Sequence, residues 1–304
     1  MKKSIAFILA LAMTAGLTAC GGSNSSTTST ESATASSEAA DTSSADNSGS
    51  ATDTSNAEYT IKVGHTLQEN TPSHEGFVKF KEEVEKNSNG RIAVEIYPNS
   101  ALGSERVMYE ACQMGTLEVA YGTSSVLANF DSKLKVLDLP FLFENEDAAR
   151  KAVNGKLGDA AAEGLEDIGL VKLTYLENGM RMITNSARPI NTPDDLKGLK
   201  IRTMENDIHM KAFELLGASP TPMAFTELFT ALQQKTVDAQ ENPIFLIQTS
   251  RFDEVQKYLS LTGHLYTSGV VTINKQLYDS LPEDLQKVLM DAADVAREYQ
   301  YELC

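Results

Sequence analysis

The 304-residue chain carries 42 acidic and 26 basic side chains, for a formal charge of −16. So acidic a surface disfavours nucleic acid and anionic lipid headgroups as partners, and it repels small anions at long range, so an anion site must concentrate positive charge locally. Three cysteines and four scattered histidines show neither a disulfide framework nor metal-ligand spacing, and no cofactor or metal is expected.

In chain order, Lys2 and Lys3 precede an apolar run from Ile5 to Leu17, then Leu17-Thr18-Ala19-Cys20-Gly21. The run is too short for a comfortable membrane span and reads as a secretory leader over 1–19. A cysteine where a plain small residue would stand resembles a bacterial lipobox, so Cys20 is expected to be diacylated and to hold the protein on the extracytoplasmic face of the cell membrane. An ordinary leader with an incidental cysteine is the alternative. Residues 20–58 are rich in Ser and Thr with almost nothing to bury, which reads as a flexible tether with a reach on the order of 35 Å.

The remaining stretch, roughly 245 residues, is long enough for a sizeable core or two lobes, and its alternating strands and helices are an α/β pattern. Predicted are the strand Tyr59–Gly64, a helix over Ser73–Asn87, the strand Arg91–Tyr97, a helix from the cap Ser104 to Met114, and the strand Leu117–Tyr121. Two helices between Asn145 and Ile168 lead to the strand Val171–Leu176, with Arg181–Thr184 as a further strand. Thr192-Pro193-Asp194-Asp195 reads as a helix start. The strand Leu199–Arg202 precedes helices over Glu205–Leu216, stopped by Gly217, and Phe225–Gln234. Then come a turn with Gln240, Glu241 and Asn242, the strand Gly269–Ile273, and a long helix opened by Pro282 and still running at Cys304. Cys112 and Met108, Met114, Met204 and Met223 read as core filler.

The chemistry concentrates between Lys197 and Pro243. A guanidinium at a strand end (Arg202) beside an amide-bearing turn is suited to a small organic anion, because its rigid fork of donors matches a carboxylate. No HExxH, phosphate-binding glycine loop, GxGxxG or GxSxG is present. Binding without catalysis is therefore favoured. A secreted enzyme using Glu241 or His65 as general base, or a ligand-presenting sensor, is the alternative.

The segments PTPMAFTELFTALQQ and VDAQENP resemble the core motif of the solute-binding proteins of TRAP (tripartite ATP-independent periplasmic) transporters. GHTLQENTPSHEGFVKF, SALGSERVMYEACQMGTLEVAYG, LDLPFLF, ENGMRMITNSARPI and FDEVQKYLSLTGH extend the likeness from Tyr59 to Cys304. The resemblance implies a two-lobed α/β fold of the periplasmic-binding-protein kind (class II type), with a ligand cleft between the lobes and a long hinge-spanning helix. Lobe I would comprise 59–180 with 268–304, and lobe II 181–267. It further implies a monomeric receptor that takes a C4-dicarboxylate or sugar acid and hands it to the membrane permease.

By the same resemblance Arg202 matches the arginine that grips the ligand carboxylate, Arg181 a second cleft arginine, Asn242 a hydrogen-bonding amide and Phe225 an aromatic packed beside the ligand. His65, Thr66, Thr123 and Ser124 stand where specificity residues vary. The plainer readings are a salt bridge from Arg202 to Glu205 or Asp207, a pair of Arg181 with Glu177, a turn role for Asn242 and core packing for Phe225. Two departures from the family pattern are Lys235 for the glycine of LQQG and Asn206-Asp207 for Asn-Pro.

Overall fold

The computed structural model describes residues 52–304. The leader, Cys20 and most of the Ser/Thr-rich stretch lie outside the described residues. Thr54 to Glu58 turn back on the domain, where Glu58 N donates to the Arg91 carbonyl at 2.8 Å.

The first elements are β1 (Tyr59–Gly64), α1 (Pro72–Asn87), β2 (Ile92–Tyr97), α2 (Glu105–Gln113), β3 (Val119–Thr123) and α3 (Ser124–Leu127). A 3-10 segment, Ser132–Asp138, precedes α4 (Glu146–Val153), α5 (Lys156–Ala162) and the long β4 (Leu170–Asn185). Next come β5 (Lys200–Thr203), α6 (Asp207–Leu215), β6 (Ser219–Pro222), α7 (Phe225–Gln233), β7 (Ala239–Asn242) and α8 (Ile244–Thr249). The chain closes with β8 (Tyr258–Asn274), α9 (Lys275–Ser280) and α10 (Glu283–Leu303).

The eight strands form one sheet in the order β2-β1-β3-β8-β4-β7-β5-β6. β1 pairs in parallel with β2 and β3, and β5 in parallel with β6 and β7. Between these halves, β4 and β8 run antiparallel to each other over most of their length and carry the sheet from one lobe to the other. Apolar side chains cover both faces of each half. Phe77, Phe80 and Val84 of α1 pack with Leu285, Leu289 and Ala292 of α10 on one face of the first lobe, and Met108, Tyr109 and Leu134 lie in the cluster on the other. Two smaller clusters, around Ile201 with Phe213 and around Leu228 with Phe252, do the same in the second lobe. The α10 helix reaches the crossing strands through Gln300, which accepts from Glu177 N at 3.0 Å and donates to its carbonyl at 3.1 Å.

The two short strands expected at Val171–Leu176 and Arg181–Thr184 are parts of the single strand β4. Asn178-Gly179 looks like a break in sequence, but Gly179, at φ +107°, lies where the register shifts against β8, so the strand bulges and continues. The expected turn at Gln240–Asn242 is strand β7, ended by Pro243, which has no N–H to offer a ladder. β6, of sequence SPTP, is an edge strand where proline is tolerated. Lys235, in place of glycine, sits at φ +59°, the backbone region glycine adopts most readily. Met108 and Met204 are buried, whereas Met114 is 72% exposed rather than core filler. Cys112 is buried, and burial pushes its thiol up to about 12.

Candidate functional site

Arg202 projects from β5 and is 2% exposed. Its Nε and Nη2 both donate to the Met223 carbonyl, at 2.9 and 2.7 Å. The third nitrogen, Nη1, is buried without a hydrogen-bond partner. Neither proposed structural partner holds it: Glu205 pairs with Arg106 at 3.4 Å and Asp207 with Lys135 at 2.7 Å. Burial pushes the guanidinium down to about 10, partly offset by the charge of Glu241. It stays cationic at neutral pH, and a cation with one hand unfilled is costly to bury.

Arg202 lines a small cavity of about 30 Å³ between the lobes. The second lobe also contributes Met204, Met223, Phe225 and Asn242. From the first lobe come Thr66, Glu105, Arg106, Tyr121 and Thr123, and from the crossing strand Asn178. Thr66 follows β1, and its buried hydroxyl has no partner. Thr123 ends β3; its N–H and hydroxyl both donate to Glu105 Oε2, at 2.9 and 2.8 Å. Burial raises the Glu105 carboxyl above its usual range against the pull of these two donors. Phe225 meets Phe252 edge to face at 6.0 Å while lining the cavity, so it both packs and faces the cleft.

Arg181 is not among the cavity-lining residues. It is fully buried and bonded to Glu241 by both Nε and Nη2, and it also donates to Thr267 Oγ1 at 3.2 Å and Asn242 Oδ1 at 2.9 Å. Its structural partner is thus Glu241; Glu177 pairs with Arg150. Burial alone would raise the Glu241 carboxyl, but Arg181 and the neighbouring His264, 3.5 Å away, outweigh it and hold the acid well below the usual carboxylate range. Asn242 is no turn residue: with Oδ1 fixed by Arg181 and Nδ2 donating to Gln240 Oε1 at 2.6 Å, its amide is set rigidly at the cavity wall.

Two expected contacts, His65 and Ser124, do not line the cavity. His65 is fully buried against Phe77; its Nδ1 accepts from Leu67 N at 3.2 Å, and its Nε2 stands 3.2 Å from His74 Nδ1. Burial and His74 push it down to about 3, so it is a neutral core imidazole with both nitrogens engaged. Ser124 is buried at the start of α3 and is not a cavity-lining residue. These placements also remove both general-base candidates, since Glu241 is neutralised by Arg181 and His65 is engaged on both sides. Among the described residues no group of three or more His, Cys, Asp or Glu could hold a metal ion, and no helix is long and apolar enough to cross a membrane. Sequence reasoning passed over Glu105, Arg106 and Asn178. All three lie in segments that carried the resemblance, but nothing local marks them as facing a cleft, because that depends on pairings far along the chain.

Residues 63–304 match the family described as bacterial extracellular solute-binding protein, family 7 (DctP). The 2,3-diketo-L-gulonate-binding periplasmic protein YiaO of Escherichia coli is 38% identical over 80% of this chain and 74% of its own. A TRAP periplasmic solute-binding protein from Polaromonas sp. JS666, solved with D-erythronate, is 43% identical with a TM-score of 0.78 over 80% of each chain. One from Sulfurospirillum deleyianum, solved with succinate, is 32% identical with a TM-score of 0.77 over 81% of this chain and 79% of that one.

Proposed function

The chain belongs to the bacterial extracellular solute-binding protein family 7, the receptors of TRAP transporters, and from the cleft geometry we propose that it holds a small organic acid by its carboxylate on Arg202 and passes it unreacted to a membrane permease. One observation carries this reading: the buried guanidinium keeps Nη1 free of any protein partner beside a cavity between two lobes. A carboxylate supplies the missing acceptor and the missing charge together. Asn242, held by Arg181, and the free hydroxyl of Thr66 would then orient the ligand, with Phe225 against its carbon chain. Thr123 acts through Glu105, whose carboxyl can accept from a ligand hydroxyl. C4-dicarboxylates and sugar acids both fit this description.

Charged hydrogen bonds are worth roughly 1.5–3 kcal/mol each, so losing the arginine fork should cost one to two orders of magnitude in affinity or more. Calorimetry against a panel including succinate and D-erythronate should find a bound acid. Arg202→Ala and Arg202→Lys should each weaken that acid at least about tenfold while the fold survives, because a lysine is a point charge without the fork. Wild-type affinity in either variant overturns the assignment. Continued recovery of intact ligand after prolonged incubation, read by NMR, distinguishes a receptor from an enzyme.

The site of action is outside the cytoplasm, and the sequence Leu17–Cys20 supports attachment there through a lipid on Cys20. A Cys20→Ala chain should then appear in the soluble extracytoplasmic fraction, where the parent chain sediments with membranes. Equal partition of the two would remove the anchor and leave the receptor reading intact.

A further inference from the structure

Three consecutive residues that run on from β5 are each held by the first lobe. Arg106 Nε donates to Glu205 Oε1 at 3.4 Å, and Asn129 Nδ2 donates to the Glu205 carbonyl at 2.6 Å. Lys135 Nζ pairs with Asp207 Oδ2 at 2.7 Å. Between them Asn206 Nδ2 donates to the Ser125 carbonyl at 3.0 Å and to Asp138 Oδ2 at 2.9 Å. The other Asp138 oxygen accepts from Ser125 Oγ at 2.5 Å and stands 3.4 Å from His209 Nε2.

The outer pairs are solvent-accessible, whereas Asp138, Ser125, Asn206 and His209 are each 2% exposed or less. None of these four lines the cavity. Asn206 is anchored in its own lobe, because its Oδ1 accepts from Ile208 N at 2.9 Å and His209 N at 3.2 Å and so caps α6. That cap fixes the amide with its NH₂ turned to the other lobe. Asp138 is a carboxylate buried without a lysine or arginine among its hydrogen-bond partners. It takes one donor from its own lobe, and the second arrives only when the lobes meet. Burying a carboxylate is unfavourable until its acceptors are filled, so the contact rewards one docked arrangement and penalises near misses.

We propose that Asp138 and Asn206 form the latch of lobe closure, positioning residues that set the affinity for any ligand of the cleft without touching it. This rests on the reading that the cleft closes on a bound acid. The latched segment continues directly from the strand carrying Arg202, so closing the latch also fixes where that guanidinium points. Apparent affinity scales with the fraction of molecules able to adopt the binding-competent state, so a weaker latch weakens binding of every ligand in proportion.

Asn206→Asp keeps the helix cap, since aspartate caps as well as asparagine, but sets a second carboxylate against Asp138. The swap Asn206→Asp with Asp138→Asn restores a donor facing an acceptor between the two side chains, although the new carboxylate can no longer donate to the Ser125 carbonyl. With D-erythronate as probe, Asn206→Asp should raise Kd at least about tenfold, mainly through faster dissociation, and the swap should recover part of the loss, because it removes the carboxylate–carboxylate repulsion. A ligand-free readout accompanies it: in the soluble chain with Cys20→Ala, Cys304→Ser, Lys135→Cys and Asp207→Cys, dibromobimane bridges the two rim thiols at a rate set by the closed fraction. Asn206→Asp should slow that bridging at least about tenfold, and the swap should restore it in part. Bridging and dissociation at parental rates in Asn206→Asp, or no recovery in the swap, overturns the latch. Should the parental chain bind no organic acid, the functional reading fails while the bridging rates still judge the latch.

Discussion

Arg202 and Arg181 lie in one sheet, equally buried, yet their surroundings give them opposite tasks. Arg181 has its charge matched by Glu241 and its donors used, so it serves as a rigid post for Asn242. Arg202 retains an unpartnered donor and has no carboxylate paired with it directly. Removing one partner of a buried ion pair strands the other, at about 3–5 kcal/mol. Glu241→Gln should therefore lower stability at pH 7 by that order in urea unfolding. The folded-state carboxyl is held below its ordinary value, so its stabilisation is fully present above the ordinary carboxylate pKa of about 4.3. It is lost as pH falls from there towards the folded value, by about 1.4 kcal/mol per unit. The gap between the parent and Glu241→Gln should thus narrow between pH 4 and pH 3; a gap independent of pH over that range refutes the pairing as the source. The place of Arg202 near the end of β5 was legible from sequence because a strand end is a local feature. The partner of Arg181 was not, because β4 and β7 pair only in the folded sheet.

At the scale of elements, helices and isolated strands follow local rules and were readable. Ser104 caps α2 through Val107 N at 3.4 Å, Thr192 closes a capping box with Asp195, and Gly217 takes a φ of +80° where α6 stops. The central pair β4 and β8 broke the reading, because strand continuity through a bulge is decided by the partner strand rather than by the bulged sequence. The same reason hid the site's geometry. Thr123 at the end of β3 faces Gly269 of β8, and Arg202 of β5 faces Thr221 of β6. Those registers decide which strand-end side chains share a cavity, whereas His65 is held in the core by Phe77 and His74, and Ser124 belongs to α3. The Asn206-Asp207 departure also gains a physical meaning at this scale. Proline in place of Asp207 could not make the rim pair with Lys135.

Across the whole molecule, a charge of −16 opposes the approach of the organic anion that we propose Arg202 holds. The two effects act at different ranges. Repulsion from surface carboxylates extends over the Debye length, about 30 Å at 0.01 M salt and about 10 Å at 0.1 M. The contact with Arg202 is buried and screened far less. Raising salt from 10 to 200 mM should therefore speed association of an organic anion severalfold, with little change in its dissociation rate. This is the reverse of electrostatic steering. The chain contains no tryptophan and ten tyrosines, one of them, Tyr121, at the cavity wall, so stopped-flow tyrosine fluorescence can follow binding without a label. An association rate that falls with added salt would mean that local positive potential, from Arg202 and Arg106 at the cleft, reaches past the acidic surface and draws the ligand in. A rate that rises assigns the cations a purely short-range part, in which the acidic surface sets how fast the ligand arrives and the buried guanidinium sets how long it stays.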